Sequence, residues 1–319
     1  MPSSRQVRIT RTAISPLLAI KTFPNTAHHT GTPPRVGAMS GVAMGGPAPD
    51  PDRVEDGPPG TRFTEVRRFA EIDSTNRYLL DVARREGVAD VVAVADHQSA
   101  GRGRMGRRWE APAGANLLLS VLLDPHLEVE QLHLCSAAMS LAAADSCRSA
   151  TGVEPSIKWP NDLLAAGRKL AGVLAESTPP PSGEGTRLVV VGIGLNVRWP
   201  PPEDVDAPEP VPDELRRSAT SLWRQAGAEP DPASLFEPLL RALDERVTAL
   251  GDSAGRARLA SEYRSRCATI GQAVRVVLSD TEVLGEAVDI TLEGQLVVDV
   301  GACFTTVSAG DVVHLHGGD

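Results

Sequence analysis

Residues 99–112 read SAGRGRMGRRWEAP, with Gly101, Gly103 and Gly106 interleaved with Arg102, Arg104, Arg107 and Arg108. Glycines let backbone N–H groups approach an anion, and guanidinium forks match the oxygens of phosphates and carboxylates. The pattern suits a mobile loop that binds an anionic ligand. Taken alone, it suits a solvated basic loop or a nucleic-acid tether equally well. The match to G-x-G-x-x-G is literal, but a dinucleotide fingerprint must open a helix. Here Pro112 and Gly114 follow and oppose one. No G-K-[ST] closes the motif as in a P-loop, and the H-R-D and D-F-G partners of a kinase glycine loop are missing.

A second segment strengthens the anion reading. Lys158, Asn161 and Asp162 are followed closely by Lys169 and Gly172. Among 32 basic residues, only Lys21, Lys158 and Lys169 are lysine. Arginine has taken over where charge alone suffices, so the surviving lysines mark places that need a compact point charge. Lys158 and Lys169 could neutralise phosphate charge, and Asp162 could hold Mg²⁺ directly or through water. A hairpin with exposed charges is the plainer alternative, but it leaves the retained lysines unexplained.

These residues need a scaffold, and the sequence predicts an α/β one. FTEVRRFA, DVVAVAD and ANLLLSVLL read as strands, and DSTNRYLLDVARREG as a helix capped by Asp73 or Ser74 and stopped by Gly87. An alanine-rich helix is expected over 128–150. PSIKWPNDLLAAGRKLAGVLAES reads as two strands joined at AAGR, and RLVVVGIGLNVRW as a strand ending in Asn196. A proline-rich loop covers 200–212, and helices are expected over 213–226, 232–250 and 256–267. After Gly271 come short strands separated by turn residues, as in a small five-stranded barrel. Residues 1–49 contain no acidic residue and no lasting hydrophobic period, so 1–60 reads as a disordered extension.

DSTN at 73–76, HQSAGRGRMGRRW at 97–109 and GANLLLS at 114–120 come in that order, followed by KWPNDLL at 158–164 and RKLAGVLAE at 168–176. GIGLNV at 192–197 and SAGDVVHL at 308–315 complete the series. In order and spacing this set resembles the biotin protein ligases over 61–319. The resemblance implies an α/β catalytic domain with a mixed sheet over 61–268 and an SH3-like barrel over 269–319. It implies that biotin and ATP form biotinyl-5′-AMP, whose acyl group passes to a lysine of a biotin carboxyl carrier domain. By the same resemblance Ser74, Thr75, Asn76 and Gln98 surround the biotin ring, and Gly101, Arg102 and Arg104 form the biotin loop. Gly172 lets backbone approach biotin. Lys169 and Arg104 are the catalytic candidates. Arg104, Arg107, Trp109, Lys158, Asn161, Asp162, Lys169 and Asn196 belong to the nucleotide side, with Asp162 toward Mg²⁺. Bifunctional members add an N-terminal helix-turn-helix, which residues 1–60 cannot supply, so no specific DNA binding is expected.

Composition narrows the alternatives. The formal charge is −9, and the chain has four tryptophans, two tyrosines and five phenylalanines, which disfavours a general nucleic-acid binder using the arginine loop. No apolar run reaches the ~20 residues of a membrane span. The four cysteines form no C-x-x-C pair and read as reduced cytosolic thiols, so a cytoplasmic location is expected, and with the resemblance goes the expectation of an enzyme that is a monomer or weak homodimer. A lipoate–protein ligase shares the architecture and a similar lysine and remains the nearest alternative.

Overall fold

The computed structural model of the chain describes residues 21–22, 49–182, 185–206, 210–278 and 281–315. Its larger sheet is mixed and runs in the order β2-β3-β4-β5-β9-β8-β7-β6. The strands are β2 (Arg53–Asp56), β3 (Glu65–Ile72), β4 (Val91–Gln98), β5 (Leu117–Leu123), β6 (Ser156–Lys158), β7 (Asp162–Ala165), β8 (Arg168–Thr178) and β9 (Leu188–Leu195). The two-residue β1 (Lys21–Thr22) pairs in parallel with β8. β3 and β4 are parallel, while β4, β5, β9 and β8 run antiparallel in turn.

Helices cover both faces of this sheet, as the continuous burial of β5 demands. On one face lies α1 (Thr75–Glu86), whose Tyr78, Leu79, Val82 and Ala83 are buried. Ser74 caps it by accepting from Arg77 N, and Gly87 ends it in the left-handed region at φ 65°. On the other face α2 (His133–Thr151) packs against α5 (Ala233–Ala249). The alanines of α2 bring it close to the sheet and to its partner helix, and one apolar core continues from here into the C-terminal domain. There β10 (Ala273–Val277), β11 (Glu282–Ile290), β12 (Leu296–Asp299), β13 (Phe304–Val307) and β14 (Asp311–His314) form an antiparallel five-stranded sheet, ordered β13-β12-β11-β10-β14.

Three expectations need correction. Arg53–Asp56 is not extension but the edge strand β2, paired with β3; most of the rest of 1–60 lies outside the described residues. The segment around KWPND supplies three strands rather than two, because Lys158 pairs with Asp162 across a tight turn before the β7–β8 hairpin begins. The helix expected over 213–226 is broken into α3 (Asp213–Ser218) and α4 (Leu222–Ala226). The break follows from tertiary pairing: Thr220 N donates to Lys169 O at 2.9 Å, so the chain extends alongside β8. The last helix, α6 (Ser253–Ser265), starts at Asp252, whose carboxylate accepts from Gly255 N at 2.7 Å.

Candidate active site

The glycine–arginine segment closes on itself. Gly103 N donates to Arg107 O at 2.7 Å and Trp109 N to Gly101 O at 3.0 Å. Met105 and Gly106 turn the tip with φ of 56° and 76°. Each arginine then reaches a different part of the molecule. Arg102 meets Glu176 of β8 at 2.9 Å, and Arg104 donates to Asn161 Oδ1 at 2.9 Å. Arg107 meets Asp311 of the C-terminal sheet at 3.1 Å, and Arg108 donates to Ser99 O at 3.0 Å. Burial pulls the Arg104 guanidinium below the ordinary arginine range, with Asp162 and Asp311 pulling it back up.

Trp109 leaves this loop and lies on a floor made for it. Gly172 of β8 and Gly194 of β9 are register partners. A Cβ at Gly194 would stand 2.4 Å from Trp109 Cε2, and one at Gly172 would stand 3.2 Å from Cζ3. Glycine at both positions is what lets the indole rest on the sheet. Lys169 completes the corner, with Nζ 2.8 Å from Asp162 Oδ1 and 5.8 Å from the centre of the Trp109 ring.

The opposite end of the cavity is built of neutral polar groups, with Arg102 beside them neutralised by its pair with Glu176. Ser74, Thr75 and Asn76 begin α1, and Gln98 ends β4, so the parallel β3–α1–β4 unit sets them side by side. Gln98 Oε1 accepts from Thr75 N at 2.9 Å, and Thr75 Oγ1 lies 2.7 Å from Ser120 Oγ. Asn76 is buried and would collide with any side chain at Gly192, where a Cβ would be 2.0 Å from its Oδ1.

One cavity therefore gathers Ser74, Thr75, Asn76, Gln98, Arg102, Arg104, Arg107, Trp109, Asn161, Asp162, Lys169 and Gly172. Three expected residues sit outside its wall. Gly101 packs under Trp109, where a Cβ would be 2.3 Å from the Trp109 carbonyl oxygen. Lys158 lies beside Asp162 in register, and burial lowers its pKa. Asn196 is buried behind the wall, accepting from Asn116 Nδ2 and donating to Thr220 O, each at 3.0 Å. It ties down the segment that runs beside Lys169. Sequence reading missed Ser120, Glu176, Gly192 and Gly194. Glycines two apart within an apolar strand were the available signal, since they face the same side.

Asp162 is the sole acidic residue of this cavity wall among the described residues, and Lys169 already faces its Oδ1. No group of three His, Cys, Asp or Glu that could hold a metal occurs among the described residues. This donor set does not make a resident metal site. A divalent cation fits here only when carried in on the phosphates of a nucleotide. Among the described residues, no helix is long and apolar enough to cross a membrane.

Comparison with known proteins agrees with this geometry. Residues 69–196 match the Biotin/lipoate A/B protein ligase family, and 269–315 match the Biotin protein ligase C terminal domain. The biotin–[acetyl-CoA-carboxylase] ligase of Mycobacterium tuberculosis is 42% identical over 266 residues, covering 80% of this chain and 91% of the relative. That of Paracoccus denitrificans is 33% identical, covering 76% of this chain and 98% of the relative. In fold, the biotin protein ligase of Aquifex aeolicus, in complex with biotin and ATP, aligns with a TM-score of 0.64 at 24% identity, over 79% of this chain and 99% of that one. With a catalytic sheet and a C-terminal sheet that both match, the chain belongs to the biotin protein ligase family.

Proposed function

We propose that this chain activates biotin with ATP and transfers it to a lysine of a biotin carboxyl carrier domain. The observation that carries the reading is a single cavity with two unlike ends. One end offers neutral hydrogen-bonding groups, from Ser74, Thr75 and Gln98; the other is lined by Arg104, Arg107 and Lys169. Biotin has the matching shape, a neutral ureido ring joined by an apolar chain to a carboxylate. The ring of lipoate carries no N–H or C=O, so the polar end has nothing to recognise in it.

In the first step a biotin carboxylate oxygen bonds to the α-phosphorus of ATP, and the bond to pyrophosphate breaks. Both reactants are anions, so fixed positive charge must offset their repulsion where water is scarce. Lys169 sits between the ends for this role, and Arg104 adds a half-buried guanidinium. Trp109 and Gly172 form the floor along which biotin's chain runs. Trp109 Nε1, buried without a partner among the described residues, is a donor left for the ligand. Asn161 and Asp162 hold Arg104 and Lys169 in place, and Lys158 adds charge from behind. In the second step the carrier lysine attacks the acyl carbon, AMP leaves with the bonding pair, and the lysine gives up a proton. The closed loop keeps water from the mixed anhydride until then.

The partner in this reading is the carrier domain of a biotin-dependent carboxylase. Nucleotide enters as Mg·ATP, the enzyme is cytoplasmic and a monomer or weak homodimer, and it binds no operator DNA. Purified protein, Mg·ATP and an apo carrier domain, supplied with biotin or with lipoate, test it by mass spectrometry. A biotinyl adduct with biotin alone is expected. A lipoyl adduct, or none, overturns the reading.

A further inference from the structure

Behind the neutral end of the cavity lies a carboxylate that lines no part of its wall. The Glu176 side chain is 1% exposed, with Oε1 2.9 Å from Arg102 Nη2. Its Oε2 accepts from Asn76 Nδ2 at 3.1 Å, and the same amide nitrogen donates to Leu174 O at 3.1 Å. A carboxylate paired with a guanidinium and a backbone carbonyl can only accept. The amide nitrogen of Asn76 must therefore point at them, which turns its Oδ1 toward Ser120.

The consequence passes on from there. Ser120 Oγ lies 2.7 Å from Asn76 Oδ1, which can only accept, so the single hydroxyl proton of Ser120 is committed to it. Thr75 Oγ1 lies 2.7 Å from Ser120 Oγ. With Ser120's proton spent, Thr75 must give its own to this shorter contact rather than to Gln98 Oε1, which lies 3.2 Å away, and its lone pairs are left for the ligand. Gln98 Oε1 is held by Thr75 N at 2.9 Å, so its amide nitrogen is turned to the opposite side as a donor. The wall thus shows an acceptor at Thr75 beside a donor at Gln98, the complement of a group with adjacent N–H and C=O.

We infer that Glu176 is a specificity-determining positioning residue, fixing the donor and acceptor directions of the ring pocket through Asn76 and Ser120 while it orients Arg102. This rests on the biotin reading above and adds the residue that makes the pocket select a ureido group. A carboxylate buried only for packing would be hard to explain, since its desolvation is costly and apolar residues fill space better.

The test is a thermodynamic cycle on the full chain, read as the biotin dissociation constant by titration calorimetry without ATP. Glu176→Gln frees Asn76 to turn over and loosens Arg102; biotin binding should weaken by about twentyfold or more. Ser120→Ala cuts the relay without touching Glu176 or Arg102, and should weaken it by about fivefold. Because both act through one chain of hydrogen bonds, the double variant should bind like Glu176→Gln alone rather than show the product of the two losses. The KM for ATP should stay within about twofold throughout. Multiplying losses, or a Ser120→Ala variant that binds biotin like the wild type, would overturn the inference while leaving the ligase reading intact. A wild type that binds no biotin would instead remove the reading itself.

Discussion

Arg107 Nη2 lies 3.1 Å from Asp311 Oδ1, so the tip of the glycine–arginine loop is tethered to the C-terminal sheet. Both side chains are largely exposed, and such a pair contributes on the order of 0–1 kcal/mol to stability. Its effect falls on the loop instead. Asp311→Asn should keep the melting temperature within about 2 °C, while trypsin cuts after Arg104 or Arg107 several times faster. Unchanged cleavage would show that the tether does not hold the loop.

Lys169 sets a compact point charge against Asp162 at the cavity wall. Its Nζ is 2.8 Å from Asp162 Oδ1, and a Cβ at Gly172 would already stand 3.4 Å from it. Lys169→Arg keeps the charge but needs space for a planar fork. Biotin-dependent pyrophosphate release should slow at least about tenfold, a loss of roughly 1.4 kcal/mol in transition-state stabilisation. Near-normal release would take Lys169 out of the chemistry.

Gly194→Ala should lift Trp109 off the sheet, because the new Cβ would lie 2.4 Å from Cε2. Overpacking of this kind costs about 1–3 kcal/mol. The expected result is a folded protein with altered tryptophan emission and biotin binding weaker by about tenfold or more. Unaltered emission and binding would mean that the indole does not depend on this glycine.

His133 predicts a pH dependence of stability. Burial lowers its pKa from 6.5, with Glu130 O and the charge of Glu293 opposing the shift. Its ring packs against Gly294 of the C-terminal domain, where a Cβ would stand 2.3 Å from Cδ2. The unfolded chain takes up the proton more readily than the folded one, so stability is full above 6.5 and declines as pH falls through 6.5 toward the lowered native value. Melting temperatures at pH 5.5 and 7.5 should therefore differ more for the wild type than for His133→Gln. Equal differences would remove His133 as the cause.

The cysteines should be nearly silent. Burial pushes the Cys135 and Cys147 thiols up to about 12, and Cys267 is raised as well. Cys303 is only half-buried. A native titration with a disulfide reagent should modify Cys303 alone, and all four thiols after denaturation. Rapid modification of Cys135 in the native protein would contradict the packing of α2.

The cationic end of the site was legible in the sequence because arginine, lysine and glycine stand out in composition and spacing. Ser74, Thr75 and Gln98 were found through the resemblance of short motifs. Ser120 was hidden inside LLLSVLL, where one serine in a buried strand reads as packing. Glu176 was hidden because its partner Arg102 is 74 residues away; only the β4–β5–β9–β8 order brings the two together. The helix break at Ala219–Ser221 escaped for the same reason, since local propensity favoured a helix and pairing with Lys169 overrode it.

Trp109, Gly172 and Gly194 share one fixed volume, although they come from three distant points of the chain. A side chain can appear at either glycine only if the indole shrinks or moves, and the indole can be replaced by something smaller only at the risk of leaving a void. The three positions are therefore bound to vary together in descent. A lineage that exchanged Trp109 for a smaller aromatic would become free to accept alanine at Gly194, and each change would be harmful without the other. What looks like three independent motifs along the sequence is, for selection, a single inherited character.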